Sequence, residues 1–158
     1  DLDGKVAALG VVNQEIVDQF LQHPFFFRKP PKSLDRDAFV GLANAVTGLS
    51  DADAAATLTM ACAASVMLGL QACPSPPSSL FVTGGGRRNP TLMGMIADAC
   101  SLPVVLIEEA GFNGDMLEAQ AFAFLAVRVA KGLPTSASGT TGVRAAIGGG
   151  TVSRPAKK

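Results

Sequence analysis

The segment Leu80-Phe81-Val82-Thr83-Gly84-Gly85-Gly86-Arg87-Arg88-Asn89-Pro90 constrains this chain more than any other. Strand-favouring residues run straight into three glycines, and Asn89 and Pro90 then mark a helix start as N-cap and first-turn residue. A strand, a glycine bend and a helix in immediate succession predict an α/β layer. Glycine at the carboxyl end of such a strand lets a ligand approach the backbone, and the helix start offers it free N–H groups. The same glycines also suit a tight strand-to-helix turn with no ligand, and both readings stand at this level. The run is neither a Walker loop, because it lacks the Gly-Lys-Ser/Thr ending, nor a dinucleotide-binding GxGxxG turn.

The downstream sequence repeats the order. Pro103 to Ile107 predicts a second buried strand, and a turn at Gly111 to Gly114 leads to a helix from Asp115 to Lys131, ended by Gly132 and Pro134. Strand, turn, helix, strand, turn, helix is the signature of parallel pairing. Upstream, Val6 to Leu9 reads as a strand remnant after an Asp3-Gly4 turn, and Asn13 caps a helix reaching Gln22. Pro24, Pro30 and Pro31 keep His23 to Leu34 irregular, and a helix from Arg36 to Val46 is expected to bury Phe39, Leu42 and Val46. Ser50 and Asp53 form a capping box that opens a long helix to Leu70. Ser138 to Gly150 reads as loop with at most one strand, followed by a loose basic tail.

Composition narrows the function classes. The 158 residues are 48% apolar and 16% charged, enough for a core, and thirteen basic residues balance thirteen acidic ones. Such a chain has no general electrostatic pull toward nucleic acid or an anionic membrane. Cys62, Cys73 and Cys100 have no CxxC spacing and a single histidine to assist them, so a zinc site is not assembled. They read as buried, reduced thiols of a cytosolic protein. Ala54 to Leu70 is apolar but built from alanine, threonine, serine and glycine, which favours a core helix over a membrane span. The opening Asp1-Leu2-Asp3-Gly4 reads as the start of a fragment. It is not a calcium loop, since the glycine comes too early and the later glutamate is missing.

Two further segments carry candidate chemistry. Asp115 as N-cap with Glu118 three residues into the helix would make a capping box. Glu118 also heads a stripe with Phe122, Leu125 and Val129, a face expected to be buried, where a carboxylate needs a partner or a polar ligand. In Pro30-Pro31-Lys32-Ser33 a stiff proline pair delivers a lysine and a hydroxyl, suited to a polyanion or sugar and equally to plain connection. His23 is read as a cap at the end of the first helix.

These segments occur together with His23-Pro24-Phe25-Phe26, Arg36 and Phe39, the run Gly84 to Met93, the run Gly111 to Ala126, Gly132-Leu133-Pro134 and Thr141-Gly142. In that combination and order the chain resembles the anhydro-N-acetylmuramic acid kinase family across nearly its whole length. The resemblance implies a helix-rich α/β fold, the ribonuclease-H-like half of a two-domain sugar-kinase and actin-like architecture. Residues 1–152 would form the C-terminal nucleotide- and sugar-binding domain, and residues 153–158 the tail. Family members use ATP and Mg²⁺ to phosphorylate 1,6-anhydro-N-acetylmuramic acid while water opens its anhydro bridge, in cytoplasmic peptidoglycan recycling.

By the same resemblance Gly84, Gly85, Gly86 and Asn89 bind nucleotide, while Glu118, Lys32 and Ser33 bind the sugar, the triglycine bend and Glu118 lining one groove. The superfamily's first phosphate loop and catalytic aspartate have no match here and are expected in an N-terminal half. The implied partners are therefore ATP, the amino sugar, that missing half and a second copy across an exposed inter-domain face, with no nucleic acid or membrane. The chain by itself is expected to lack kinase activity. A non-catalytic nucleotide-binding or regulatory module of the same superfamily is the alternative, and an unrelated α/β interaction domain a third. Leu34-Asp35 stands where the family has Thr-Gly, and Phe25 and Phe124 replace its tyrosine and tryptophan, keeping bulk but losing a hydrogen-bonding end.

Overall fold

A computed structural model describes residues 1–154, so the end of the expected tail, 155–158, lies outside the described residues. The chain forms two compact units, one of Asp1–Arg28 with Leu34–Asp115, the other of Lys29–Ser33 with the residues from Met116 onward.

The first unit is organised around a long helix. Helix α1 spans Gln14–Leu21 and α2 Val40–Ala45, and α3, Asp51–Leu70, is the longest. Asn13 starts α1 as expected, its side chain accepting from the Ile16 N–H at 3.1 Å. Ser50 Oγ likewise accepts from the Asp53 N–H at 3.1 Å. Asp53 does not complete the capping box, because its carboxylate accepts from the Val11 N–H at 2.7 Å instead. That bond, and then the Ser50 hydroxyl, hold the Asp53 carboxyl below its usual range.

Small residues explain how α3 sits at the centre. Ala56, Thr57, Ala61, Ala63 and Ala64 are buried, and α3 packs against α1, the 3₁₀ turn Ala7–Leu9 and the later helix Pro90–Cys100. A side chain at Gly10 would stand 2.0 Å from the Ala52 carbonyl oxygen, so the chain passes this helix in backbone contact. Thr57 fastens the crossing: its Oγ accepts from the Asn13 N–H at 2.9 Å and donates to the Asp53 carbonyl at 2.7 Å. The helix is long and apolar enough to cross a membrane by length and composition.

Several expectations change here. Val6 to Leu9 is not a strand remnant. The Asp1 carboxylate accepts from the Val6 and Ala7 N–H groups, and this local capping draws the segment into a 3₁₀ turn. The expected helix over Arg36–Val46 is split into a 3₁₀ turn, Arg36–Phe39, and α2, with Val46 buried but Phe39 and Leu42 only partly covered. Phe39 instead joins Phe20, Phe25, Phe26 and His23 in an aromatic cluster, edge-to-face at centroid distances of 5.1–5.9 Å and stacked with Phe26 at 6.1 Å. His23 is not a helix cap, since its Nδ1 accepts from the Phe25 N–H and stabilises the following turn. Cys62 and Cys73 are exposed and Cys100 half-buried, contrary to the expected buried thiols. The Cys62 thiol nonetheless lines an apolar groove, and that surrounding raises its pKa.

Strand β1, Leu80–Val82, pairs in parallel with β2, Val104–Leu106, in the register Leu80↔Val104, Phe81↔Val105 and Val82↔Leu106. Helix α4, Pro90–Cys100, is the crossover between them. The strands are less buried than their apolar character predicts: Phe81 is 51% and Leu106 40% exposed, because a two-stranded sheet leaves much of its surface uncovered. Order and parallel pairing match a helix-rich α/β fold.

The second unit contains helix α5, Leu117–Ala130, and a single turn, α6, Ser138–Thr141. Gly132 ends α5 with positive φ, and the Arg128 guanidinium reaches the Pro134 carbonyl. The region read as loop is held by α6 and an antiparallel bridge between Ser136 and Ile147. The cis Pro30–Pro31 segment belongs to this unit, Pro31 packing against Gly142.

Candidate functional site

The glycine run leaves β1 through Gly84, whose φ of 72° and ψ of −174° lie in a region essentially confined to glycine. A 3₁₀ turn, Gly85–Arg88, follows and delivers Asn89 to the start of α4. Asn89 Oδ1 accepts from the Leu92 N–H at 2.9 Å, the predicted N-cap. The Thr91 hydroxyl donates to the Gly4 carbonyl at 2.8 Å and ties the N-terminal turn to this helix start.

The three glycines differ in what requires them. Backbone conformation accounts for Gly84. Gly85 has an ordinary φ, and among the described residues nothing lies within 4 Å of where its side chain would begin. At Gly86 the nearest atom is a Leu92 methyl at 3.4 Å, an ordinary contact. Neither turn geometry nor internal packing therefore explains Gly85 or Gly86.

What holds this loop was not foreseen from sequence. Arg87 is buried, with its side chain 6% exposed. Its Nε and Nη2 both donate to Glu108 Oε1, at 3.0 and 2.8 Å, and its Nη1 donates to the Gly84 carbonyl at 2.8 Å and to Asp115 at 2.9 Å. Arg88 also pairs with Asp115. Glu108 Oε1 accepts in addition from the Gly114 N–H, and the Gly114 carbonyl accepts from Thr83 Oγ and the Gly84 N–H. Hydrogen bonding to Arg87 holds both the Glu108 and Asp115 carboxyls below their usual range. Asp115 and then Glu108, in turn, push the guanidinium pKa up. The signal was available: a basic pair follows β1 and an acidic pair, Glu108-Glu109, follows β2, and parallel pairing puts both strand ends side by side.

This network corrects the reading of Asp115. It is not the N-cap of α5, because its carboxylate is taken by the two arginines; the cap position is Met116, with no side-chain bond. The Asp115–Glu118 capping box is thus absent. Glu118 stands in the first turn of α5 and is exposed rather than buried. No residue of α5 is fully buried: Phe122 is 65% exposed, and Leu125 and Val129 are half-buried. Lys32 is half-buried and Ser33 exposed. Gly84, Gly85, Gly86 and Asn89 lie together in the first unit, whereas Lys32, Ser33 and Glu118 belong to the second. No cluster of three or more His, Cys, Asp or Glu side chains that could hold a metal is found among the described residues.

Comparison with known proteins gives a consistent result. The sequence model of the family described as anhydro-N-acetylmuramic acid kinase matches residues 1–154. The chain belongs to the anhydro-N-acetylmuramic acid kinase family. Proteins named anhydro-N-acetylmuramic acid kinase from Cereibacter sphaeroides and Ruegeria sp. (strain TM1040) are 60% and 57% identical to it over 155 residues. One from Paramagnetospirillum magneticum is 49% identical over 151 residues. These alignments cover 95–98% of this chain but 41–42% of each relative. The chain thus spans about two fifths of the length of the curated relatives it matches. Membership in the kinase family removes the reading as an unrelated interaction domain.

Proposed function

We propose that the chain is the C-terminal part of an ATP-dependent kinase that phosphorylates 1,6-anhydro-N-acetylmuramic acid with hydrolytic opening of the anhydro ring. The step belongs to cytoplasmic peptidoglycan recycling, and the chain supplies one ribonuclease-H-like half of a two-domain enzyme. Gly85 carries this proposal: set beside a strand end and a capped helix start, with open space where a side chain would begin, it leaves its backbone free for a ligand to rest on. ATP fits the position, with Gly84, Gly85 and Gly86 lining its nucleoside side. Asn89 uses its oxygen to cap α4 and keeps its amide N–H₂ for the ligand.

Glu118, Lys32 and Ser33 form the sugar side of the proposal, an exposed acid with a base and a hydroxyl from the same unit. Mg²⁺ serves such reactions by neutralising phosphate charge. Mg²⁺ is commonly held by one or two carboxylates together with substrate phosphates, so the nucleotide supplies part of its site. Phosphoryl transfer needs phosphates, metal and nucleophile positioned together. The chain alone therefore turns over no ATP with the anhydro sugar.

Steady-state kinetics of a full-length enzyme carrying Gly85→Val test the proposal. There is room for the side chain within this unit, so the melting temperature should stay within about 2 °C. The KM for ATP should rise about 10-fold or more, while that for the sugar holds. An unchanged KM for ATP would remove the nucleotide assignment, and turnover by the purified chain alone would remove the assignment as an incomplete half.

A further inference from the structure

The glycine loop has no side chains of its own with which to keep its shape, yet a backbone that receives a ligand must be held still before the ligand arrives. Resting on the nucleotide assignment above, we infer that Arg87 is a positioning residue: pinned by Glu108 and Asp115, it holds the Gly84 carbonyl and so presets the Gly84–Gly86 backbone for nucleotide. Four separate contacts from one buried guanidinium converge on this task. The planar fork of arginine can serve Glu108, Asp115 and the Gly84 carbonyl at once, which the single ammonium of lysine cannot.

The seat of the guanidinium is shaped for it. A side chain at Gly114 would stand 2.5 Å from Arg87 Nε and 2.9 Å from Glu108 Oε1, so glycine there is what lets the pair close. Gly114 also donates to Glu108 and accepts from Gly84 and Thr83, which stitches the loop after β2 to the loop after β1 by main chain as well as by charge. Arg87 itself is turned inward and spends its donors on protein, so its action on a ligand passes through the Gly84 carbonyl and the backbone that follows it. A purely structural ion pair would affect stability and every kinetic constant alike. A positioning residue affects the constant of the ligand it prepares for.

Full-length enzyme carrying Arg87→Lys, Glu108→Gln or Gly85→Val separates the cases. Both clamp variants should raise the KM for ATP about 10-fold or more, leaving the KM for the anhydro sugar within about twofold. Arg87→Lys keeps the charge and loses the fork, so it should not rescue. Glu108→Gln keeps shape and Arg87 itself, and decides the matter if Arg87→Lys folds poorly. If Gly85→Val raises the KM for ATP and Glu108→Gln does not, the positioning role is wrong and the nucleotide assignment survives. If Glu108→Gln shifts both KM values alike, the clamp is only structural. If Gly85→Val leaves the KM for ATP unchanged, the nucleotide assignment fails and the positioning role fails with it.

Discussion

Helices α3 and α5 each carry two charged residues and are otherwise largely apolar or small, yet α3 buries five residues within its unit and α5 none. The difference lies in side-chain size and in what stands nearby. Alanines and Thr57 on α3 let α1, α4 and the Gly10 backbone come within contact, and each close approach covers the next. On α5 the large residues Phe122 and Phe124 project with 65% and 60% of their surface open, and Phe124 is covered on one face by the Arg128 guanidinium. Apolar composition makes a helix able to be buried. Which helix is buried depends on neighbours that can reach it.

The strongest test of this contrast swaps glycines. Gly10→Ala drives a side chain into the Ala52 carbonyl at 2.0 Å and should cost about 3 kcal/mol or more in urea unfolding. Gly139→Ala, in α6 with open space around it, should be neutral or stabilise by about 0.4–1 kcal/mol. Equal losses at both sites would break the contrast.

A milder test enlarges the helices themselves. Ala63→Leu on α3, at a fully buried site, should destabilise by about 1–3 kcal/mol, whereas Ala126→Leu on the exposed face of α5 should stay within about 0.5 kcal/mol. Thermal unfolding of the two variants measures this, and a larger loss at Ala126 would show that α5 is the covered helix in the whole protein.

The smallest expected effect concerns charge. Glu108 and Asp115 have pKa values below those of an unfolded chain, so their contribution is fully present above the ordinary carboxylate range. It is lost as pH falls through the lower folded-state values. The melting-temperature difference between wild type and Glu108→Gln, about 2 °C, should be constant from pH 8 to about 5 and shrink below about 4. A difference that grows on acidification would mean the carboxylate is held protonated.

Local signals were legible because they close within four residues. The caps at Asn13, Ser50 and Asn89 and the order of β1, α4, β2 and α5 come from spacings inside one turn or one strand. The family motifs were equally visible as strings of residues, and they name the glycine loop as a candidate site. The strand expected at Val6 to Leu9 failed because Asp1 offers a competing set of hydrogen bonds that an apolar pattern does not reveal.

By itself, then, the sequence determined where α1, α3, α4 and β1 start, that the two strands run parallel, and that a triglycine bend stands at a strand tip. Only the tertiary structure decided which glycine of the bend is demanded by its backbone conformation, which arginine holds the loop, and that Asp115 serves Arg87 rather than α5. The physical reason is separation along the chain. Arg87 meets Glu108 and Arg88 meets Asp115 across 21 and 27 residues, and such partners become neighbours only after β1 and β2 have paired.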